Sequence, residues 1–271
     1  MKVLICNMIN KEHLVNDLNA VRQKSPLVHN ITNYVAMNFN ANALLAIGAS
    51  PVMAHAVEEM EEMTAIADAL VINIGTLDSQ WVDGMLKAGT AMRKRGGIIV
   101  LDPVGAGATT FRTETALKII ETCHPDAIRG NASEIMALTN KNVRSKGVDS
   151  TETSNDAIAS AKVLAKLTNS VVTIIGPTDY ITDGERVETI ANGSPMMTRV
   201  TAMGCTASSI VGVFASVNKN IFEAVVHAMA VMGVAGEMAA EKSAGPGSMQ
   251  ANFIDELYLL TPDILLKTLR Q

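Results

Sequence analysis

Short apolar runs bounded by turn residues recur along this chain, and stretches of helical period separate them. That alternation constrains the fold most, because strands apolar on both faces are stable only in a parallel sheet that helices cover on each side. The runs at residues 27–31, 50–53, 69–74, 98–101, 127–129 and 171–175 are the expected strands. Residues 180–182 and 186–190 flank Asp183-Gly184 and form an expected antiparallel hairpin. Helices are expected at 33–47, 57–67, 79–95, 113–122, 132–138 and 153–167, the last with Ile158, Ala161, Leu164 and Ala165 on one face. Beyond residue 204 the strand pattern stops, and 204–217, 221–240, 248–260 and 262–269 read as helices. The expected class is α/β, with a mainly parallel sheet and a helical C-terminal part.

The 271 residues are expected to form one domain, since no Pro/Gly/Ser-rich linker or fixed-period repeat divides them. The polar stretch 139–155 reads as a surface loop. A formal net charge of -5 and 3% aromatic residues speak against a nucleic-acid partner, which calls for a basic face and stacking aromatics. In MKVLICNMIN the apolar run is broken by Asn7, Asn10 and Lys11, and no later run reaches the length that spans a bilayer, so the expectation is a cytoplasmic protein without a membrane partner. Cys6, Cys123 and Cys205 are odd in number and widely spaced, which gives neither a disulfide framework nor a zinc site. The sixteen methionines read as adaptable core filler.

In parallel sheets ligands bind beyond the carboxyl ends of the strands, so the residues just past each run carry the functional information. These are His29 to Asn33, Met53 to His55, Asn73 to Thr76, Asp102 to Gly107, Arg129 to Asn131 and Gly176 to Thr178, polar or glycine at nearly every point. In LDPVGAG (101–107), Asp102 suits a hydrated Mg²⁺ or substrate polarisation, and Gly105 and Gly107 let backbone N–H groups approach a phosphate. A plain turn with glycines at positive φ explains the same letters. In RGNASEI (129–135), Asn131 and Glu134 match a capping box, which suffices without a ligand. The functional alternative gives Glu134 to metal-bound waters and Arg129 to phosphate oxygens.

VTAMGCTASSIVGVFA (200–215) supplies a helix start with small side chains, where unpaired N–H groups receive an anion or where small residues simply pack. It matches neither the P-loop nor the dinucleotide fingerprint, and with Asp102, Arg129 and Glu134 it suggests phosphoryl transfer without a P-loop. The acidic run Glu58, Glu59, Glu61 and Glu62 reads as a solvated face, His29 and His55 as satisfied polar residues, and His124-Pro125 as a helix stop.

The chain resembles the hydroxyethylthiazole kinase family of ribokinase-like kinases. The likeness rests on PLVHNITNYVAMN (26–38), GASPVMAHAVEEM (48–60), LDPVGAGAT (101–109), IRGNASEI (128–135), VTAMGC (200–205) and AGPGS (244–248), in the family's order. It implies a three-layer ribokinase-like fold, ATP-dependent phosphorylation of 4-methyl-5-(2-hydroxyethyl)thiazole, Mg²⁺, and a homotrimer with sites between subunits. It implies thiazole contacts from Met53, Asn33, Ala202 and Gly204, and ATP contacts from Arg129, Asn131, Ile175 and Gly176. Asp102 and Glu134 fall to the metal, and Cys205 takes the catalytic position where ribokinase-like enzymes generally carry an aspartate base. Cys205 is a weak base only if the helix terminus lowers its pKa, so its expected part is to orient the hydroxyl.

Two positions depart from the pattern. Many relatives carry glycine-threonine-glycine before the cysteine, where this chain has Ala202-Met203-Gly204, and relatives often offer threonine at Ile175-Gly176. Kinases of hydroxymethylpyrimidine, ATP-dependent hydrate dehydratases and a non-catalytic ligand-binding relative share the general scaffold. The segments PLVHNITNYV and SPVMAH set the first two apart, and the full set Asp102, Arg129, Asn131 and Glu134 the third.

Overall fold

The computed structural model describes residues 9–139 and 153–270. Cys6, the opening run and most of the 139–155 stretch lie outside them. One eight-stranded sheet organises the chain, in the order β2-β1-β3-β4-β5-β6-β7-β8. Its strands are β1 (Leu27–Ile31), β2 (Ser50–Val52), β3 (Ala69–Asn73), β4 (Ile98–Asp102), β5 (Ala127–Asn131), β6 (Val171–Ile175), β7 (Asp179–Thr182) and β8 (Val187–Ile190). The first six are parallel, and β7 and β8 close one edge antiparallel, with Tyr180 opposite Thr189.

Alternation along each strand splits the core in two. In β3, Ala69 and Val71 join one apolar cluster and Leu70 and Ile72 the other. The first cluster takes helices α1 (Lys11–Lys24), α2 (Met37–Ile47), α8 (Met203–Ala215), α9 (Ile221–Glu241), α10 (Pro246–Leu259) and α11 (Pro262–Thr268). The second takes α3 (Met60–Ile66), α4 (Ser79–Lys94), α5 (Thr110–Cys123), α6 (Ala132–Thr139) and α7 (Thr153–Thr168). Helices thus cover both faces, and each fully buried Leu, Ile or Phe, such as Leu14, Ile72 or Phe214, contributes about 1.5–3 kcal/mol.

Helix starts follow local chemistry. Asp78 caps α4 by accepting from Trp81 N at 2.8 Å, and Thr109 caps α5 by accepting from Arg112 N at 3.2 Å. The helix expected from residue 33 begins at Met37 instead, because Asn33 is spent on a turn, its Oδ1 accepting from Ala36 N at 3.0 Å. Residues 57–67 divide into a 3-10 turn, Val57–Glu59, and α3. The 127–129 strand extends to Asn131, so Arg129 lies inside β5, paired with Thr173 and not at its end. The expectation that no run is long enough for a bilayer also needs correction. Helix α9 has 21 residues and a window of mean hydropathy 1.4, long and apolar enough to cross. That window is 78% buried, against α8 and α10 among others, so α9 serves here as a core helix.

Candidate active site

The carboxyl ends of β1, β3, β4, β5 and the first turn of α8 converge on one buried polar chain. Asn33, beyond β1, donates from Nδ2 to Asn73 Oδ1 at 2.8 Å and to Cys205 Sγ at 3.2 Å. Asn73, the last residue of β3, donates to Asp102 Oδ2 at 2.8 Å, and Ser208 Oγ of α8 donates to the same oxygen at 2.8 Å. Asp102 ends β4 and is 4% exposed. Its side of the sheet continues to Glu134, whose Oε1 accepts from Gly105 N and Oε2 from Asn131 N, both at 2.8 Å. Asn131 Oδ1 accepts from Glu134 N at 2.9 Å, so the capping box expected from the spacing is formed. It also carries the glutamate to the glycine turn, where Gly105 and Gly107 have φ of 77° and 87°.

Arg129 supplies the cation. Its Nη1 donates to Gly204 O at 2.9 Å, tying β5 to the first turn of α8, while its buried Nε has no partner. Further polar contacts fix α8 itself. Thr206 Oγ1 donates to Asn40 Oδ1 at 2.6 Å, Asn40 Nδ2 to Ser209 Oγ at 3.0 Å, and Ser209 Oγ to Asn30 Oδ1 at 2.8 Å. The letters T-A-S-S therefore do more than pack closely. They anchor to α2, β1 and β4 a helix whose first-turn N–H groups have no acceptor within the helix.

Burial sets the protonation states. Desolvation pushes Asp102 up to about 7, helped by the negative charge of Glu134 and opposed by Arg129, Ser208 and Asn73. Glu134 is also raised by desolvation, against its two backbone donors and the charges of Arg129 and Arg112. Desolvation and the Asp102 carboxylate drive Cys205 up to about 11, despite hydrogen bonds from Asn33 and Asn73. The condition for a basic Cys205, a lowered pKa at the helix terminus, is therefore not met. Cys205 is a neutral thiol throughout the physiological range.

The remaining expected residues lie along the same edge. Met53 follows β2, the outermost strand, while Ile175 ends β6, five strand positions away. At about 4.8 Å per strand that is roughly 24 Å, room for two ligands end to end. Gly176 is exposed, and its N–H donates to Asp179 Oδ1 at 3.0 Å. Asp179 is raised by desolvation and feels Arg129, a neighbour that sequence reading missed. Ala202, the residue before α8, is left-handed at φ 68°, a conformation that glycine adopts freely and alanine does not. The acidic run at 58–62 is exposed as expected, apart from buried Met60. His29 donates from Nε2 to Ala54 O at 2.9 Å, and His55 packs on Trp81 with 4.8 Å between ring centroids.

The two carboxylates also fit a divalent cation. Each is raised by burial, and Asp102 further by the charge of Glu134, a repulsion that a cation relieves. Both bonds to Asp102 land on Oδ2, and both oxygens of Glu134 already accept a backbone N–H. Among the described residues no group of three or more His, Cys, Asp or Glu forms a dedicated cage. That donor set suits an ion that keeps most of its waters and shares phosphate oxygens.

Residues 18–263 match the model of the hydroxyethylthiazole kinase family. Hydroxyethylthiazole kinase of Syntrophus aciditrophicus is 53% identical over 263 residues, 97% of each chain. The solved hydroxyethylthiazole kinase of Pyrococcus horikoshii OT3 superposes with a TM-score of 0.89 at 41% identity, covering 96% of this chain and 98% of that one. A ribokinase-like superfamily protein of Enterococcus faecalis, 14% identical with a TM-score of 0.63 over 97% and 99% of the two chains, shares the fold. A three-layer ribokinase-like scaffold, an edge of polar strand ends under a helix start, and sequence agreement along nearly the full length converge on one conclusion: the chain belongs to the hydroxyethylthiazole kinase family.

Proposed function

We propose that the Asn33–Asn73–Asp102 edge and the first turn of α8 carry out the family's reaction in this chain: transfer of the γ-phosphoryl group of ATP to the primary alcohol of 4-methyl-5-(2-hydroxyethyl)thiazole. Family membership makes the chain an ATP-using kinase. The observation that carries the assignment of roles is the contact of Asn33 Nδ2 with Cys205 Sγ beside Asp102. It puts a neutral, held thiol at a helix N-terminus and a carboxylate-rich site next to it, the two halves that an uncharged acceptor and a polyphosphate require.

The acceptor lies between Met53 and Cys205, with Asn33, Ala202 and Gly204 around it. The phosphates lie toward Arg129 and Asn131, and the nucleoside toward Ile175 and Gly176. Asp102 and Glu134 hold hydrated Mg²⁺, which when bound shields the phosphate charge. As the acceptor oxygen bonds to the γ-phosphorus and the bond to the β-phosphate oxygen breaks, Arg129 and the first-turn N–H groups of α8 stabilise the charge on the equatorial oxygens. Cys205 keeps its own proton and orients the hydroxyl. The hydroxyl proton leaves late, to a phosphoryl oxygen or to water, as a loose transition state allows.

The chain works as one kinase domain, in the cytoplasm, as a homotrimer with sites between subunits. The test is ADP release by the purified protein with Mg·ATP and the thiazole alcohol, hydroxymethylpyrimidine, or no alcohol. Stimulation by the thiazole alcohol alone is expected. Stimulation by the pyrimidine alone would transfer the scaffold to another acceptor, and sedimentation of the same sample reads the trimer.

A further inference from the structure

Arg112 lies outside every motif given a role above, in the first turn of α5. Its guanidinium is committed to backbone. Nη1 donates to Ile74 O at 2.7 Å and to Val104 O at 2.8 Å, and Nη2 donates to Gly75 O at 2.8 Å. Ile74 and Gly75 follow β3, and Val104 follows β4. One side chain therefore ties together two loops that belong to different halves of the site.

Each loop passes the constraint on to a functional side chain. On the acceptor side Gly75 N donates to Asn73 Oδ1 at 2.9 Å, and a Cβ at Gly75 would stand 2.6 Å from Asn33 Nδ2, so Asn33 rests directly on this loop. Asn33 is the residue that meets Cys205. On the phosphate side Gly105 N holds Glu134 Oε1, and a Cβ at Gly105 would stand 2.9 Å from Arg112 Cδ. The charge of Arg112 is also among those that stabilise ionised Glu134. A guanidinium is suited to this task, because its planar fork reaches several acceptors in fixed directions, whereas an ammonium is a single point on a flexible stem.

We propose that Arg112 is a positioning residue for phosphoryl transfer, holding the loop after β3 and the loop after β4 at one fixed separation. It acts through Asn33 and Cys205 on one side and through Glu134 on the other. This inference rests on the functional reading above. Displacements of about 1 Å between reacting groups cost on the order of 10²-fold in rate, so the expected effect of losing the stitch is on turnover more than on binding.

The test compares Arg112→Lys and Arg112→Ala with the unmodified chain. For Arg112→Lys, kcat is expected to fall at least about tenfold with the KM for the alcohol within about threefold, since a changed separation between the two loops is felt in the transition state more than in the bound ground state. Amide hydrogen exchange should rise in residues 74–76 and 104–107 and stay unchanged in β5 and β6. For Arg112→Ala, guanidinium below denaturing concentrations should restore part of the lost turnover. A normal kcat with only a lowered Tm, or unchanged exchange in both loops, overturns the proposal and leaves Arg112 a fold residue. Should the unmodified chain release no ADP with the thiazole alcohol, the functional reading fails by itself, and exchange in the two loops decides whether Arg112 joins them.

Discussion

The two halves of the proposed site, the acceptor half and the phosphate half, are built on opposite electrostatic plans. On the acceptor half Asn33, Asn73 and Cys205 join through neutral groups, each bond made within 3.2 Å and no member ionised at neutral pH. On the phosphate half Asp102, Glu134, Arg129 and Asp179 are ionisable groups taken out of water, and all three carboxyls are raised by desolvation. Neutral amides fix geometry at little cost once paired, whereas buried carboxylates repel one another until a cation arrives. The neutral half is held by hydrogen bonds between uncharged groups, and the other half keeps carboxyls whose ionisation burial opposes.

The hardest blow to that contrast falls on the charged half. Asp102→Asn should reduce kcat on the order of 10³-fold, a magnitude typical of losing charge stabilisation in a dry site, while raising the Tm of the metal-free protein at pH 8. A lower Tm would mean that the carboxylate stabilises the empty fold, and the contrast would be broken. On the neutral half the largest effect belongs to Asn33→Ala, about 10²-fold on kcat, because Cys205 and the loop after β3 lose their common partner. Cys205→Ala should keep measurable turnover, within about 30-fold of the unmodified chain, since an orienting thiol is less demanding than a base. Complete inactivity of Cys205→Ala with an intact fold would give the neutral half a chemical step after all.

pH sharpens the comparison next. The folded pKa of Asp102, about 7, lies above its ordinary 3.8, so between these values the native state binds a proton that the unfolded chain has lost. This contribution to stability is complete below about pH 4 and disappears as pH rises through 7, amounting to a few kcal/mol at about 1.4 kcal/mol per pKa unit. Urea melts of metal-free protein at pH 5 and pH 8 should show the loss, and Mg·ATP should reduce it. A flat profile would show that the charged half is already relaxed. The smallest effect concerns Ala202, left-handed at φ 68°. Ala202→Gly should stabilise by about 0.5–1 kcal/mol, a rise of about 1–4 °C in Tm measured by calorimetry.

What could be read from the letters divides along similar physical lines. Strands appeared within a residue or two of their observed limits, because an apolar run between turn residues is a local signal. Helix α1 leaves only a faint trace in the sequence, since Lys11–Lys24 shows a narrow stripe of Leu14, Leu18 and Val21, although Asn10 marks its start as a cap. The family motifs named Asp102, Arg129, Asn131, Glu134 and Cys205, and these residues do gather at one edge. Their wiring was not legible. Asn33 meets Asn73 across 40 positions and Cys205 across 172, and nothing in the spacing of either pair announces the contact. The same holds for Arg112, whose three acceptors are backbone carbonyls and leave no mark on residue identity.

The sheet margin at β2 has a consequence of its own. This outermost strand has three residues, and its middle one is Pro51, which lies opposite Val28 and has no N–H to offer. A ladder cannot grow outward from such a margin, and chance pairing between exposed backbones of two chains is discouraged there. Any chain that reached this border would meet it through side chains, and those next to it are Met53 to His55.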